Sequence, residues 1–290
     1  MSVTYEANIL SDLSDLVNTS WIDQTKYRII GNEWDMKFVL DDHQASTTTI
    51  RGEIVDLSAV FESFLFQAVN YTASRPAQFL RPEAYPPMTT TRSSWGPSVQ
   101  GRGLKGADVC ASLRRDGDTT LIQEIDRIVM ESKGPASIPV DSILSGIRTV
   151  HAEGHGFRIR RDMTDGTYVT HENVDKSCTD ALLQVRVLIV LTYITNTLRH
   201  SSIWIHGGQM DSRRTKVGVL TNYNVFLVIL RTGKDKIVLS SPVIRDRISR
   251  ASLEPGLAND VSVWKLLLAL LLYVGRPENL QGKTGIWADL

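Results

Sequence analysis

Apolar residues recur at helical spacing in four stretches of the chain, and short β-branched runs lie between and after them. Over 56–69, Leu57, Val60, Phe61, Phe64, Leu65 and Ala68 share one helical face, with Asp56 placed to cap it. From Pro139 onward, Ile143, Leu144, Ile147 and Val150 mark a second helix that Gly154 closes. A mostly apolar segment over about 179–198 predicts a long central helix. A terminal helix is expected near 261–274. Residues 108–113 and the run ending at Arg127-Ile-Val-Met-Glu-Ser-Lys133 read as two strands, with Asp116-Gly117 as a hairpin turn between them. Gly134-Pro135 stops the second strand. Residues 157–171 read as another hairpin, around Asp165-Gly166. The segments 203–206, 217–221, 225–231 and 237–240 are short, β-branched and strand-like. Residues 1–50 show no clean period, with strands expected only around 27–40.

This order of elements predicts a mixed α/β domain. Residues 1–52 read as an N-terminal extension, 53–244 as the main domain, and 245–290 as a C-terminal helix and tail. Five of the ten prolines and four glycines fall within 73–107, which reads as loop. That loop holds five cations against one carboxylate, in a chain whose 32 basic and 32 acidic residues cancel. No global field favours nucleic acid, so any such binding must rest on local patches and bound metal. Hydrophobic residues make up 42% of the chain and charged residues 22%, ordinary for a soluble globular protein of a size that buries a real core. Two cysteines exclude a disulfide scaffold and point to a reducing intracellular compartment, nuclear or cytoplasmic. The N-terminal residues lack the pattern of a secretory signal. The most apolar run, 266–274, falls far short of the roughly 20 residues of a spanning helix, so no membrane partner is expected.

Residues two apart on a strand point to the same face. Glu131 and Lys133 therefore project together from the end of an otherwise apolar strand, and Asp108 begins the strand paired with it. Two carboxylates and one ammonium converge at one end of a hairpin. Hard carboxylate oxygens at Asp108 and Glu131 suit Mg²⁺ (or Mn²⁺), which keeps several waters and takes further ligands from phosphate. Such a metal polarises a phosphoryl oxygen and lowers the pKa of a bound water. Lys133 is placed to orient that water or to neutralise charge on the phosphate.

At these residues the chain resembles the PD-(D/E)xK, or restriction-endonuclease-like, nuclease superfamily. Gly106-Ala-Asp108 stands where that family has Pro-Asp, and Glu131-Ser-Lys133 where it has (D/E)-x-K. Ala107 in place of the proline departs from the pattern and leaves the metal ligand intact. By the same resemblance Gln184, in Ala181-Leu-Leu-Gln184, is the glutamine that faces the site, and Glu62 is the acidic residue on the preceding helix. The segment Val217-Gly-Val-Leu-Thr-Asn-Tyr-Asn224 resembles a mainly fungal subgroup, whose nuclease-like domain often accompanies kinase-like domains in effectors and spore-killing proteins. The resemblance covers roughly residues 53–244. It implies a restriction-endonuclease-like mixed sheet flanked by helices, and a Mg²⁺-dependent nuclease hydrolysing phosphodiester bonds of DNA with weak sequence specificity. The alternative it leaves is a catalytically inactive interaction or effector module that keeps the nuclease fold.

Arg92, Arg102 and Lys105 of the loop, with Arg158, Arg160 and Arg161, are the candidate contacts to a nucleic-acid backbone. The competing readings are a plain linker for the loop and an edge protected from aggregation for the arginine strand. His151 and His155 have i, i+4 spacing, but Gly154 interrupts the helix between them, which argues against zinc. Neither a Walker nor a dinucleotide-binding loop is present.

Overall fold

The computed structural model describes residues 1–20, 69–70, 73, 80–84, 91–96, 109–115, 125–132, 138–154, 156–161, 168–186, 189–192, 203–206, 210, 215–245, 253 and 256–290. In the first half of the chain the elements are β1 (Ser2–Tyr5), α1 (Asn8–Ser20), β2 (Thr91–Gly96), β3 (Val109–Arg115), β4 (Ile125–Ser132) and α2 (Val140–Glu153). Then come β5 (Phe157–Arg158), β6 (Arg160–Arg161), β7 (Tyr168–Val169), α3 (Lys176–Arg186), β8 (Ile189–Thr192) and β9 (Ile203–His206). The chain finishes with β10 (Val217–Thr221), β11 (Val225–Gly233), β12 (Lys236–Leu239), β13 (Val243–Ile244), α4 (Val263–Gly275) and α5 (Gly285–Ala288).

One mixed sheet organises the fold, in the order β2-β3-β4-β10-β11-β12-β1-β5, with β13 paired to β11. β2, β3 and β4 form an antiparallel meander. β4 runs parallel to β10, which implies a crossover, and α2 and α3 lie within it in sequence. The ladders β10–β11 and β11–β12 are antiparallel, and β1 adds parallel to β12. Helices cover both faces. Val109, Ala111, Ile128, Met130, Phe226 and Val228 join α1 and α4 in one apolar layer. The alternate residues Cys110, Val129, Leu220, Leu227 and Ile229 join α2 and α3 in the other. Period-two alternation divides each strand between two cores, which is why β10 and β11 read as continuous apolar runs.

α2 is the helix expected from Pro139, with Ile143, Leu144, Ile147 and Val150 all buried and Gly154 closing it in the left-handed region at φ 63°. α4 begins where Ser262 accepts a hydrogen bond from the Lys265 amide at 3.2 Å. Its leucines from 266 to 268 and 270 to 272 are buried all round, and each buried leucine contributes roughly 1.5–3 kcal/mol. Packing, rather than helix propensity, fixes this element.

Residues 1–20 and the C-terminal residues build into the same layers as the rest of the sheet: β1 sits between β12 and β5, and α1 packs on α4. Three expectations need correction. The long helix expected over 179–198 ends at Arg186, and the β-branched run that follows supplies β8, paired with β9. The segment 73–107 is not all loop: it contains β2, anchored by Trp95, whose backbone is bracketed by both ends of the Asn70 amide at 2.8 Å. The hairpin expected over 157–171 narrows to β6 and β7, while β5 pairs with β1 instead. The helix expected over 56–69 and the strands over 27–40 lie outside the described residues, apart from buried, helical Val69.

Two interactions tie the chain's early residues into the fold, and each makes a prediction. Gly156 holds φ +74°, and a Cβ placed there would lie 2.0 Å from the Val3 carbonyl oxygen. Gly156→Ala is expected to destabilise the protein by about 2 kcal/mol or more, because strain adds to the clash with β1. Gly96, with nothing within 4 Å of such a Cβ, is the control, and urea titration of the two variants compares them. The second tie is at Asp12, buried in α1, which accepts a hydrogen bond from Trp287 Nε1 at 3.0 Å. Burial pushes the Asp12 carboxyl above its ordinary range, against the lowering effect of the Trp287 hydrogen bond. A carboxyl raised in the folded state contributes stability below its unfolded pKa and loses it as pH rises through the folded pKa. Asp12→Asn retains an acceptor and removes the buried charge. Wild type should therefore lose melting temperature relative to this variant between acid and neutral pH, and a pH-independent difference would contradict the account.

Candidate functional site

Glu131 is the focus of the sequence reading, and the fold places it at the C-terminal end of β4, only 1% exposed. Its strand alternates Ile128 and Met130 into the α1/α4 layer and Val129 into the α2/α3 layer. Glu131 shares the parity of Val129 and stands opposite Leu220 of β10, so it faces the α2/α3 side. Sequestering a carboxylate there costs several kcal/mol unless charge or hydrogen bonds compensate. Among the described residues Asp12 and Glu131 are the buried carboxylates: Asp12 lies in α1 on one side of the sheet and Glu131 at the end of β4.

The hairpin expected to carry the site forms. β3 and β4 pair antiparallel, and their outermost described pair at this end is Val109 with Met130. These two residues adjoin Asp108 and Glu131 in sequence. Asp108, Lys133, Glu62, Arg102, Lys105 and the Asp116-Gly117 turn lie outside the described residues. Gln184 is on α3, the helix that packs on β4 and β10. Val69, at the end of the helix expected for Glu62, is buried in the α1/α4 layer, opposite the face that Glu131 takes. Among the described residues no group of three His, Cys, Asp or Glu side chains is placed to hold a metal ion. His151 stands edge-on to the Tyr5 ring at 5.4 Å.

The basic candidates within the described residues do not gather round Glu131. Arg92 pairs with Arg114 near the far end of β3, away from the Val109–Met130 end. Arg158 is on β5, the opposite margin of the sheet, and Arg160 and Arg161 begin the separate β6–β7 ladder.

The sequence pointed to a strand over 217–221 and to a resemblance over 217–224, but what 221–224 builds was missed. Thr221, Asn222, Tyr223 and Asn224 are all buried, directly beside the end of β4, where Thr221 pairs with Ser132. Asn222 Oδ1 accepts the amides of Asn224 and Val225 at 3.1 and 2.9 Å, and Asn222 Nδ2 donates to the Ile138 carbonyl at 2.8 Å. One side chain thus closes the β10–β11 turn and fixes the entry to α2. Tyr223 takes φ 73°, its amide donating to Thr221 Oγ1 at 2.8 Å, and the Arg245 guanidinium lies 4.2 Å above its ring. Thr-Asn-Tyr-Asn between two apolar runs is a turn signal with the asparagine chemistry of an Asx turn. That was the available clue.

Compared with known proteins, the chain matches no family model, no curated protein and no solved structure. Its assignment therefore rests on its own residues.

Asn222→Ala would leave the Asn224 amide and the Ile138 carbonyl without these buried partners, each such loss costing about 1–3 kcal/mol. The variant is expected to unfold at lower denaturant than wild type. Hydrogen exchange should rise at the start of α2 as well as in the turn, whereas exchange confined to the turn would show that Asn222 does not fix the helix.

Proposed function

We propose that the chain is a metal-dependent nuclease acting on phosphodiester bonds of DNA, with its site at the open end of the β3–β4 hairpin. The observation that carries this reading is the burial of Glu131 at a strand end, on a face covered by the helix that bears Gln184. The finer fold assignment, a restriction-endonuclease-like sheet, belongs to the same proposal. It is supported by the meander β2-β3-β4 followed by two helices and a strand parallel to β4. Asp108 and Lys133 enter by sequence spacing alone, two residues before Cys110 and two after Glu131.

The donor chemistry fits Mg²⁺ or Mn²⁺: carboxylate oxygens of Glu131 and Asp108 would hold the ion. When bound, it polarises a phosphoryl oxygen and makes a coordinated water easier to ionise. The remaining work belongs to the chain. Lys133 supplies a positive charge beside the scissile phosphate, and Gln184 a neutral donor and acceptor to orient water. α3, packed on β4, shields Glu131 from bulk water and so strengthens each of these interactions. Glu62 completes the set as the acidic residue named by the resemblance. Arg102 and Lys105, close before Asp108 in sequence, contribute contacts to the nucleic-acid backbone, and Arg92 does so further along β2.

Glu131→Gln keeps shape and removes the charge. It should lower Mg²⁺-dependent cleavage of plasmid DNA at least about a hundredfold while leaving the thermal unfolding profile near wild type. Lys133→Ala is expected to do the same, EDTA to stop the reaction, and Ca²⁺ to bind without supporting turnover. Undiminished cleavage by Glu131→Gln sinks the reading, and DNA binding without cleavage by the wild type would favour the inactive module.

A further inference from the structure

We infer a second contact surface for a nucleic-acid backbone, on the opposite face and opposite end of the sheet from Glu131. The register brings three residues from distant segments into one row: Lys236 of β12 pairs with Ser2 of β1, and Ser2 pairs with Arg158 of β5. Val3, Ile237 and Phe157, the next row, all enter the α2/α3 layer, so Ser2, Lys236 and Arg158 point to the other face. There Lys236 and Arg158 are exposed and Ser2 is half-buried. Ile159 is buried beside Phe157, which gives exposed Arg160 the same direction as Arg158. Lys234, also exposed, lies in the turn before Lys236, and Asp235 between them is the local acidic residue.

Two strand spacings of about 4.8 Å separate the Lys236 and Arg158 backbones by roughly 10 Å. Long cationic side chains at that distance can close on one phosphate from either side while the Ser2 hydroxyl donates from below. Arg160, two residues further along, extends the row by about 6.6 Å, toward a neighbouring phosphate.

Edge protection alone does not explain the arrangement. Charge that prevents strand addition belongs on the outermost strand, whereas Lys236 lies two strands inside the margin. A membrane surface fits poorly, because the apolar residues of these strands turn inward and, among the described residues, no exposed aromatic or aliphatic side chain accompanies the cations. A phosphodiester backbone asks only for spaced positive charge and hydroxyl donors.

The surface is remote from the candidate site. Val129, Gly218, Ile229, Leu239 and Tyr5 share one level across the sheet, which sets Ser2 five residues from the level of Glu131. Five strand spacings and five residues give a separation of roughly 30 Å, about nine base pairs of duplex at 3.4 Å per step. This inference shares its ligand class with the proposed nuclease reading, and the test separates the two.

Binding of full-length protein to a 30-base-pair duplex is measured in EDTA across a salt series, for wild type and for the combined variant Arg158→Ala, Arg160→Ala, Lys236→Ala. The three residues are exposed, so circular dichroism should be unchanged. A second variant, Arg158→Glu, covers the case where the triple change disturbs β5. The expected result is at least tenfold weaker binding and a log–log salt slope shallower by up to about 2.7 units, at 0.9 per phosphate. Arg158→Glu should weaken binding in the same direction. Lys283→Ala, an exposed cation outside the row, should bind as wild type does. Unchanged affinity and slope in the triple variant overturns the surface, as does loss of binding to phosphatidylserine vesicles with DNA binding intact. Wild-type binding that depends on the surface but is never followed by Mg²⁺-dependent cleavage supports the surface and removes the nuclease reading. Cleavage that survives while the triple variant binds normally does the reverse.

Discussion

Burial of both faces of the central sheet governs the rest of this structure. Every residue from 217 to 230 is buried, so β10 and β11 cannot turn a polar side toward water. The turn between them must then satisfy its own polar groups internally, and Thr221 and Asn222 do this with side-chain acceptors. The same covering helices enclose the end of β4. Glu131 is buried because α3 lies over β4 and β10, not because its own segment is unusually apolar. The candidate chemistry and the turn chemistry are thus two consequences of one packing constraint.

The termini enter the architecture through that constraint as well. A sheet ending at β12 would expose a long hydrogen-bonding margin, and β1 with β5 extends it and closes the α2/α3 layer with Val3 and Phe157. On the other face α1 and α4 pack together, with Trp287 buried against Asp12 and 5.3 Å from Tyr273. Residues far apart in sequence therefore share single layers. This dependence on long-range partners hides β1, whereas α1 had a local signal that was overlooked: Ile9, Leu10, Leu13, Leu16 and Val17 recur at helical spacing.

What was legible in the sequence was whatever a periodic pattern encodes locally. α2, with its four apolar positions and its closing Gly154, could be read directly, as could β10, β11, β12 and α4. β2 was hidden because Thr-Arg-Ser-Ser-Trp-Gly offers one apolar residue in six, and its place depends on Asn70 and on Trp95 Nε1 donating to the Leu267 carbonyl at 3.1 Å. The overlong helix after 179 shows the opposite failure. Hydrophobicity alone does not distinguish a buried helix from a buried strand, and Ile189–Thr192 took the β option that its branched side chains favour. Of the candidate site, spacing revealed that Glu131 ends an apolar strand, and parity supplied its face once the layers were known. Arg158 and Arg160 were legible as a basic pair. Their distance from Glu131 was not, since it depends on the insertion of β1 between β12 and β5.

That distance constrains which ligands can use both features. A carboxylate at the end of β4 and a cationic row on the far margin, about 30 Å away on the other face, cannot contact one small phosphorylated molecule. They can serve one ligand only if it is a polymer long enough to pass round the sheet. The chain's zero net charge sharpens the point, because no overall field draws a polyanion toward either place. Association must come from locally concentrated cations, and a buried acidic site repels phosphate until positive charge is brought to it. Under the proposed reading Lys133 and the metal supply that charge at the site, and the distant row adds affinity for the backbone without bringing further cations to compete with the metal for Glu131.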